Sequence, residues 1–173
     1  NVDGVLNGGQ VYIIFGKSSG WSRDQNVASA ANASFLGNFI GAQISDEIVR
    51  VGDANGDGYG DFLFCSNTDD EVFANAGECF FVLGKATASW AMDQNIGTAG
   101  VITQTYVGSA VDDLLGTKAA GIGDINGDGY ADFAMGATGN DDAGSERGQA
   151  YIFFGKSSGW TGASSSAYSA ADA

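Results

Sequence analysis

The sequence predicts an all-β fold of antiparallel strands, and three observations carry that expectation. Short runs rich in Val, Ile, Phe and Tyr are separated by clusters of Gly, Asn, Asp and Ser, the pattern of strands joined by turns. The runs recur at a nearly constant interval, so the chain is built of repeats. Each full repeat also carries a nine-residue loop with oxygen-bearing groups at the same five offsets.

The first element is Gly9-Gln10-Val11-Tyr12-Ile13-Ile14-Phe15-Gly16-Lys17, an apolar strand ended by Gly-Lys. It returns as Gly77-Glu78-Cys79-Phe80-Phe81-Val82-Leu83-Gly84-Lys85 and as Gly148-Gln149-Ala150-Tyr151-Ile152-Phe153-Phe154-Gly155-Lys156, at offsets of 68 and 71. Trp21, Trp90 and Trp160 follow the Gly-Lys pairs at nearly equal distances, a regularity that favours packing over a role as sugar platforms. Phe35-Leu36-Gly37 is matched one repeat later by Tyr106-Val107-Gly108.

The two loops are Asp53-Ala54-Asn55-Gly56-Asp57-Gly58-Tyr59-Gly60-Asp61 and Asp124-Ile125-Asn126-Gly127-Asp128-Gly129-Tyr130-Ala131-Asp132. Side chains at positions 1, 3, 5 and 9 (Asp53, Asn55, Asp57, Asp61; Asp124, Asn126, Asp128, Asp132) and the backbone carbonyls of Tyr59 and Tyr130 at position 7 supply the oxygens that a hard cation such as Ca²⁺ prefers. Gly58 and Gly129 at position 6 allow the sharp turn. An EF-hand opens in the same way but needs a bidentate Glu at position 12, where this chain has Phe64 and Met135. The apolar stretches after the loops are too short for helices, so each loop is expected to turn a β-hairpin. An Asx-rich turn without metal is the competing reading, and the duplication of all five offsets weighs against it.

These residues resemble the FG-GAP repeat of integrin α chains and of many large secreted bacterial proteins, over residues 8–160. The loops, Gly136-Ala137 and the aromatic strand ending in Gly-Lys carry the likeness. The Phe-Gly element is approximate, as Leu115-Gly116 and Ile44-Ser45, and the first copy has Cys65-Ser66 in place of Gly136-Ala137. The resemblance implies β-propeller blades, and the chain divides into a partial repeat (1–27), two repeats (28–96 and 97–160) and a Ser/Ala-rich tail or linker (161–173). A blade cannot bury both faces alone, and propellers typically need about four to eight blades. This chain supplies about two plus a spare strand segment, so it is expected to be a piece of a longer polypeptide or to be completed by other copies. The spare aromatic strand suits strand addition to a neighbour, head to tail. A first residue inside a repeat, and no signal peptide, fit a processed or truncated product.

Twenty-one acids against seven bases give a net charge of −14, and two Ca²⁺ would leave about −10. Such a surface disfavours nucleic acid and anionic lipid, and no run of apolar residues is long enough for membrane insertion as a helix. The pairs Asp69-Asp70, Asp112-Asp113 and Asp141-Asp142 read as solvated loop charges, with extra cation sites the alternative. Cys65 and Cys79 are replaced together in the next repeat, by Gly136 and Ala150. As hairpin neighbours they would be a disulfide in an oxidising compartment; two buried thiols are the alternative. Asn32-Ala33-Ser34 is an N-glycosylation sequon at Asn32.

The chain has no histidine, which removes the usual general base, and its best-placed carboxylates are already assigned to metal. The expectation is a non-enzymatic, calcium-stabilised extracellular or cell-surface module. It would act in adhesion to a protein or glycan, or in assembly with copies of itself. The alternatives are a lectin-like propeller or an accessory domain of a secreted hydrolase.

Overall fold

The computed structural model describes residues 8–38, 40–142, 147–161 and 164–173, and the chain is all-β. Its strands are β1 (Gln10–Ile13), β2 (Ala33–Leu36), β3 (Glu47–Gly52), β4 (Asp61–Ser66), β5 (Glu78–Val82), β6 (Gln94–Asn95), β7 (Gln104–Val107), β8 (Leu115–Gly123), β9 (Asp132–Ala137), β10 (Gln149–Phe153) and β11 (Ser164–Ser166). Among the described residues the other elements are two four-residue helices, α1 (Val27–Ala30) and α2 (Ala167–Ala170), and one 3-10 turn at Thr87–Ser89. No helix among the described residues is long and apolar enough to cross a membrane.

Three sheets form, in the orders β1-β2-β6, β11-β7-β5-β4-β3 and β10-β9-β8. The second is an antiparallel meander from β3 to β7, with β11 added in parallel at its outer edge. It is the middle layer of a stack. Phe64, Phe80 and Val82 pack with Val11 and Phe35 of the first sheet. Leu63, Cys65, Cys79 and Phe81 point the other way, against Phe133, Met135, Tyr151 and Phe153 of the third. This two-sided packing explains why β5 is apolar almost throughout: every residue of Glu-Cys-Phe-Phe-Val is buried. A strand with one wet face would alternate. Each of its phenylalanines contributes roughly 1.5–3 kcal/mol of burial.

The chain passes between sheets by one repeated device. After β5 it turns at Trp90, lays β6 parallel to β2 in the first sheet, then returns as β7 to close its own sheet. The tail does the same in the next repeat: β11 lies parallel to β7, with Tyr106 opposite Ser165 as Phe35 is opposite Gln94. Beyond α2, the backbone of Asp172 and Ala173 bonds Ile152 at the free edge of β10. The Ser/Ala-rich tail is thus a working part of two sheets.

Both hairpins that carry the Asp-rich loops are present, as β3–β4 and β8–β9. Cys65 and Cys79 face each other across β4 and β5 with Cα atoms 4.1 Å apart, and they are disulfide-bonded. Gly116 lies directly on that bond from the next sheet; a Cβ there would stand 2.6 Å from the Cys65 Cβ and 2.7 Å from the Cys79 Sγ. Its φ of +85° also favours glycine.

Candidate metal centre

Each Asp-rich loop is organised by its own first residue. Asp53 accepts from the backbone amides of Gly56 (2.7 Å) and Asp57 (3.1 Å) through Oδ1 and from Gly58 (2.9 Å) through Oδ2. Asp124 accepts from Gly127, Asp128 and Gly129 at 2.7, 3.1 and 2.8 Å. The agreement extends to Asn55 Nδ2 on Asp57 Oδ2 and Asn126 Nδ2 on Asp128 Oδ2, both 2.9 Å, and to the amides of Tyr59 and Tyr130 on the position-5 carboxylates. The three amides, Gly129 first, hold Asp124 below its ordinary pKa. The sequence folds this way because Gly56, Gly58, Gly127 and Gly129 adopt positive φ, turning successive amides inward.

The last residue of each loop faces the interior. Asp61 is 1% exposed and accepts 2.7 Å bonds from the amides of Ala54 and Gly84; Asp132 accepts at 2.8 Å from Ile125 and Gly155. Burial raises the Asp61 pKa, the two amide bonds oppose this, and the charges of Asp57 and Asp53 add to the rise. These bonds fasten the loop to the Gly-Lys end of the aromatic strand. Gly84 must be glycine, since a Cβ there would meet the Gly60 carbonyl at 2.5 Å, and a Cβ on Gly155 would meet that of Ala131 at 2.6 Å.

The two loops are neighbours. Ala131 donates to the Asp53 carbonyl at 2.9 Å, Lys156 donates to that of Ala54 at 2.8 Å, and the Tyr130 ring covers Gly56. Sequence-assigned oxygens therefore gather at one end of the stack, though the carboxylates within a loop do not form a tight acidic triad. Among the described residues, the three-acid group whose oxygens lie within 4.8 Å of one another is Asp69, Glu71 and Glu78. The donor set of each loop is all oxygen, three carboxylates with one amide and one backbone carbonyl, which fits a hard cation and no softer one.

Residues 116–153, spanning β8, the second loop, β9 and β10, match the family model described as FG-GAP repeat. This stretch is an FG-GAP repeat. A comparison with curated proteins finds no match. The FG-GAP repeat has an internal twin upstream, with the same hairpins and the same loop bonds.

Around the FG-GAP repeat the structure also places what spacing alone left open. Each tryptophan indole donates to the carbonyl of the preceding lysine (Lys17, Lys85 and Lys156, at 2.9–3.0 Å), and that lysine's Nζ lies 4.7–5.0 Å from the ring centre. Trp90 packs on Phe35 and Phe62, and Trp160 on Phe81, whereas Trp21 is 61% exposed. The regular Gly-Lys to Trp spacing was the signal for this clasp. Asn32 is exposed, and its Oδ1 accepts from the Phe15 amide at 2.8 Å. The acid pairs require a correction: Asp70, Asp112, Asp141 and Asp142 are exposed, but Asp69 and Asp113 are buried. In each of those pairs the loop turns one carboxylate in to bind backbone amides, Glu71 for Asp69 and Ser109 and Ala110 for Asp113.

Proposed function

We propose that this chain is a calcium-stabilised, non-catalytic β-propeller segment that works at the cell surface or outside the cell, by assembling with further blades through its two open sheet faces. The observation that carries this reading is the stack itself, in which the middle sheet packs one face on the sheet before it and the other on the sheet after it. The two terminal faces lack that partner among the described residues. On the first sheet Ile14 and Trp21 are exposed; their equivalents Val82 and Trp90 pack against a neighbour. On the third, Ala134, Gly136 and Ala150 line a shallow apolar groove of about 220 Å³, at positions equivalent to Leu63, Cys65 and Cys79. The edge of β1 is open as well: β5 is flanked by β4 and β7, but among the described residues β1 pairs with β2 alone.

Calcium in this reading is structural. Held by the side chains of Asp53, Asn55, Asp57 and Asp61 with the Tyr59 carbonyl, and by Asp124, Asn126, Asp128, Asp132 and the Tyr130 carbonyl, it would offset the repulsion of three carboxylates per loop. Those loops anchor the aromatic strands through Gly84 and Gly155, so the ions would stiffen the hairpin ends where neighbouring sheets meet. The disulfide, the acidic surface and the FG-GAP repeat support an oxidising, extracellular setting. The lectin-like alternative loses its platform at Trp90 and Trp160, whose rings are engaged by neighbouring aromatics and lysines. The absence of histidine supports a role without catalysis.

The test is thermal unfolding in calcium and in chelator. At a hundredfold excess over Kd each loop ion stabilises by about 2.7 kcal/mol. Wild type should therefore melt higher in calcium, and Asp57→Ala with Asp128→Ala should lose the loops' share of that rise. A double variant whose calcium response equals that of wild type would overturn the structural-calcium reading.

A further inference from the structure

Corresponding buried or half-buried polar groups in the three sheets are satisfied in two cases and stranded in one. In the third sheet Asn140, 2% exposed, donates through Nδ2 to Asp113 Oδ1 at 3.2 Å and lies 3.5 Å from the Tyr151 hydroxyl, which donates to Gln149 Oε1 at 3.3 Å. In the first sheet the same Gln-x-Tyr pair recurs, with the Tyr12 hydroxyl donating to Gln10 Oε1 at 2.6 Å. In the middle sheet the residues one repeat before Asp113, Asn140, Gln149 and Tyr151 are Ala42, Asp69, Glu78 and Phe80. Two amides and a hydroxyl, each of which can donate as well as accept, have become two carboxylates and a phenyl ring.

The resulting acids are buried without compensation. Asp69 is 3% and Glu78 4% exposed. Asp69 Oδ1 accepts from the Glu71 amide at 2.8 Å, but Asp69 Oδ2 and Glu78 Oε2 have no hydrogen-bond partner. Both acids and Glu71 offer oxygens within 4.8 Å of one another. Two neutral oxygens nearby are also unpartnered: Ser66 Oγ, opposite Glu78 in the strand register, and Asn38 Oδ1. Asn38 lines a cavity of about 150 Å³ together with Glu71 and Glu78. Among the described residues no lysine or arginine pairs with them; the salt bridge that is present, Lys118 with Glu47, joins β8 to β3. Burial, with the charges of Asp69 and Glu71, pushes Glu78 up to about 9, and burial, with the charges of Glu71 and Asp70, pushes Asp69 up to about 6.

We propose that Asp69, Glu71 and Glu78 form a third cation site, separate from the two loops, that binds a hard divalent ion such as Ca²⁺. The donors are all oxygen, as such an ion requires, and Asn38 and Ser66 are placed to add neutral ones. Glu71 is exposed, and it and Asn38 also line an adjoining cleft of about 450 Å³, which gives the ion a route in from solvent. The ion would pin the turn after β4 to the end of β2, joining the first and middle sheets. At the next seam Asp113, Asn140 and Tyr151 make the corresponding link with hydrogen bonds alone. The middle copy has exchanged a proton-mediated link for a metal-mediated one.

The test is the calcium content per chain, by elemental analysis after equilibration with calcium, in wild type, in Asp69→Asn with Glu78→Gln, and in Asp57→Ala with Asp128→Ala. The first double variant restores the amides of the third sheet and should carry one ion fewer than wild type. The loop variant should lose the loop ions and keep this one. Equal calcium in wild type and Asp69→Asn/Glu78→Gln overturns the proposal. The two readings fail separately: if the loops bind nothing, wild type holds a single ion that the amide variant loses; if this site binds nothing, both hold the same two. Should the amide variant not fold, Glu71→Gln at an exposed position decides. It should weaken one calcium site about tenfold, and wild-type affinity at every site overturns the proposal.

Discussion

Asp61 and Asp132 show how one side chain can close a loop and dock a strand together. Their carboxylates sit in the interior only because two backbone amides meet each of them, one from the loop and one from the glycine that ends the aromatic strand. Asp61→Ala would leave the amides of Ala54 and Gly84 buried and unpaired. At roughly 1–3 kcal/mol for each unsatisfied donor, the loss should be between about 2 and 6 kcal/mol. Asp61→Asn, which keeps one acceptor oxygen, should fall in between. Urea unfolding in chelator, where metal contributes nothing, measures this directly, and an alanine variant within about 1 kcal/mol of wild type would remove the docking role. The local half of this arrangement was legible in the sequence, because Asp at the ninth position follows from the loop pattern. The other half was not: nothing in Gly84 or Gly155 announces which carboxylate its amide will meet, since that depends on how two hairpins fold over each other. The same limit hid Asp69 and Glu78. Their substitution for Asn140 and Gln149 was visible in the aligned repeats, but burial is a property of the packed sheet.

At the scale of elements, the sequence showed which segments are strands and left open which sheet each one joins. The aromatic strands and the hairpins around the Asp-rich loops were plain from composition, turn residues and repeat spacing. That Phe35-Leu36 would pair with β1, and Gln94-Asn95 with Phe35-Leu36 in parallel, was not. Strands as short as β6 and β11 carry no periodicity, and they exist because the chain must cross from one sheet to the next beside an available edge. The tryptophan clasp fixes that crossing, which makes its three copies an internal comparison. Trp90 touches Phe15, Phe35 and Phe62 with ring centres 6.1–6.5 Å apart. Trp21 has the same lysine and the same carbonyl bond but no neighbouring sheet beneath it among the described residues. Trp90→Ala should cost about 3–5 kcal/mol, as aromatic truncations in packed sites do, whereas Trp21→Ala should stay within about 0.5 kcal/mol in the isolated chain. Chemical denaturation of the two variants separates a clasp that works by packing from one that works through its own lysine. Equal losses would point to the lysine.

At the scale of the whole molecule, a stack whose every sheet has a front and a back carries its polarity to both ends. The back of the third sheet presents Ala134, Gly136 and Ala150 where the middle sheet presents Leu63 and the disulfide. A partner there meets a flatter surface than Gly116 and its neighbours meet at the inner seam. The front of the first sheet offers bulk in return, with Tyr12, Ile14 and Trp21. Small against large is the complementarity that lets packed layers interdigitate, so front can meet back between chains as it does within one. Such a contact is heterologous: it closes into a ring if the rotation per step allows and otherwise extends. Ala150→Lys tests it, because the residue is exposed and the substitution should alter monomer stability by no more than about 0.5 kcal/mol. A buried, unpaired lysine in the middle of an apolar contact should nonetheless abolish association. Native mass in millimolar calcium should show assemblies for wild type and single chains for Ala150→Lys, with the same melting temperature for both when measured in chelator. If the variant assembles as wild type does, the back face of the third sheet is not the contact, and association must run through the open edge of β1, where added backbone strands would be indifferent to a side chain on the opposite sheet.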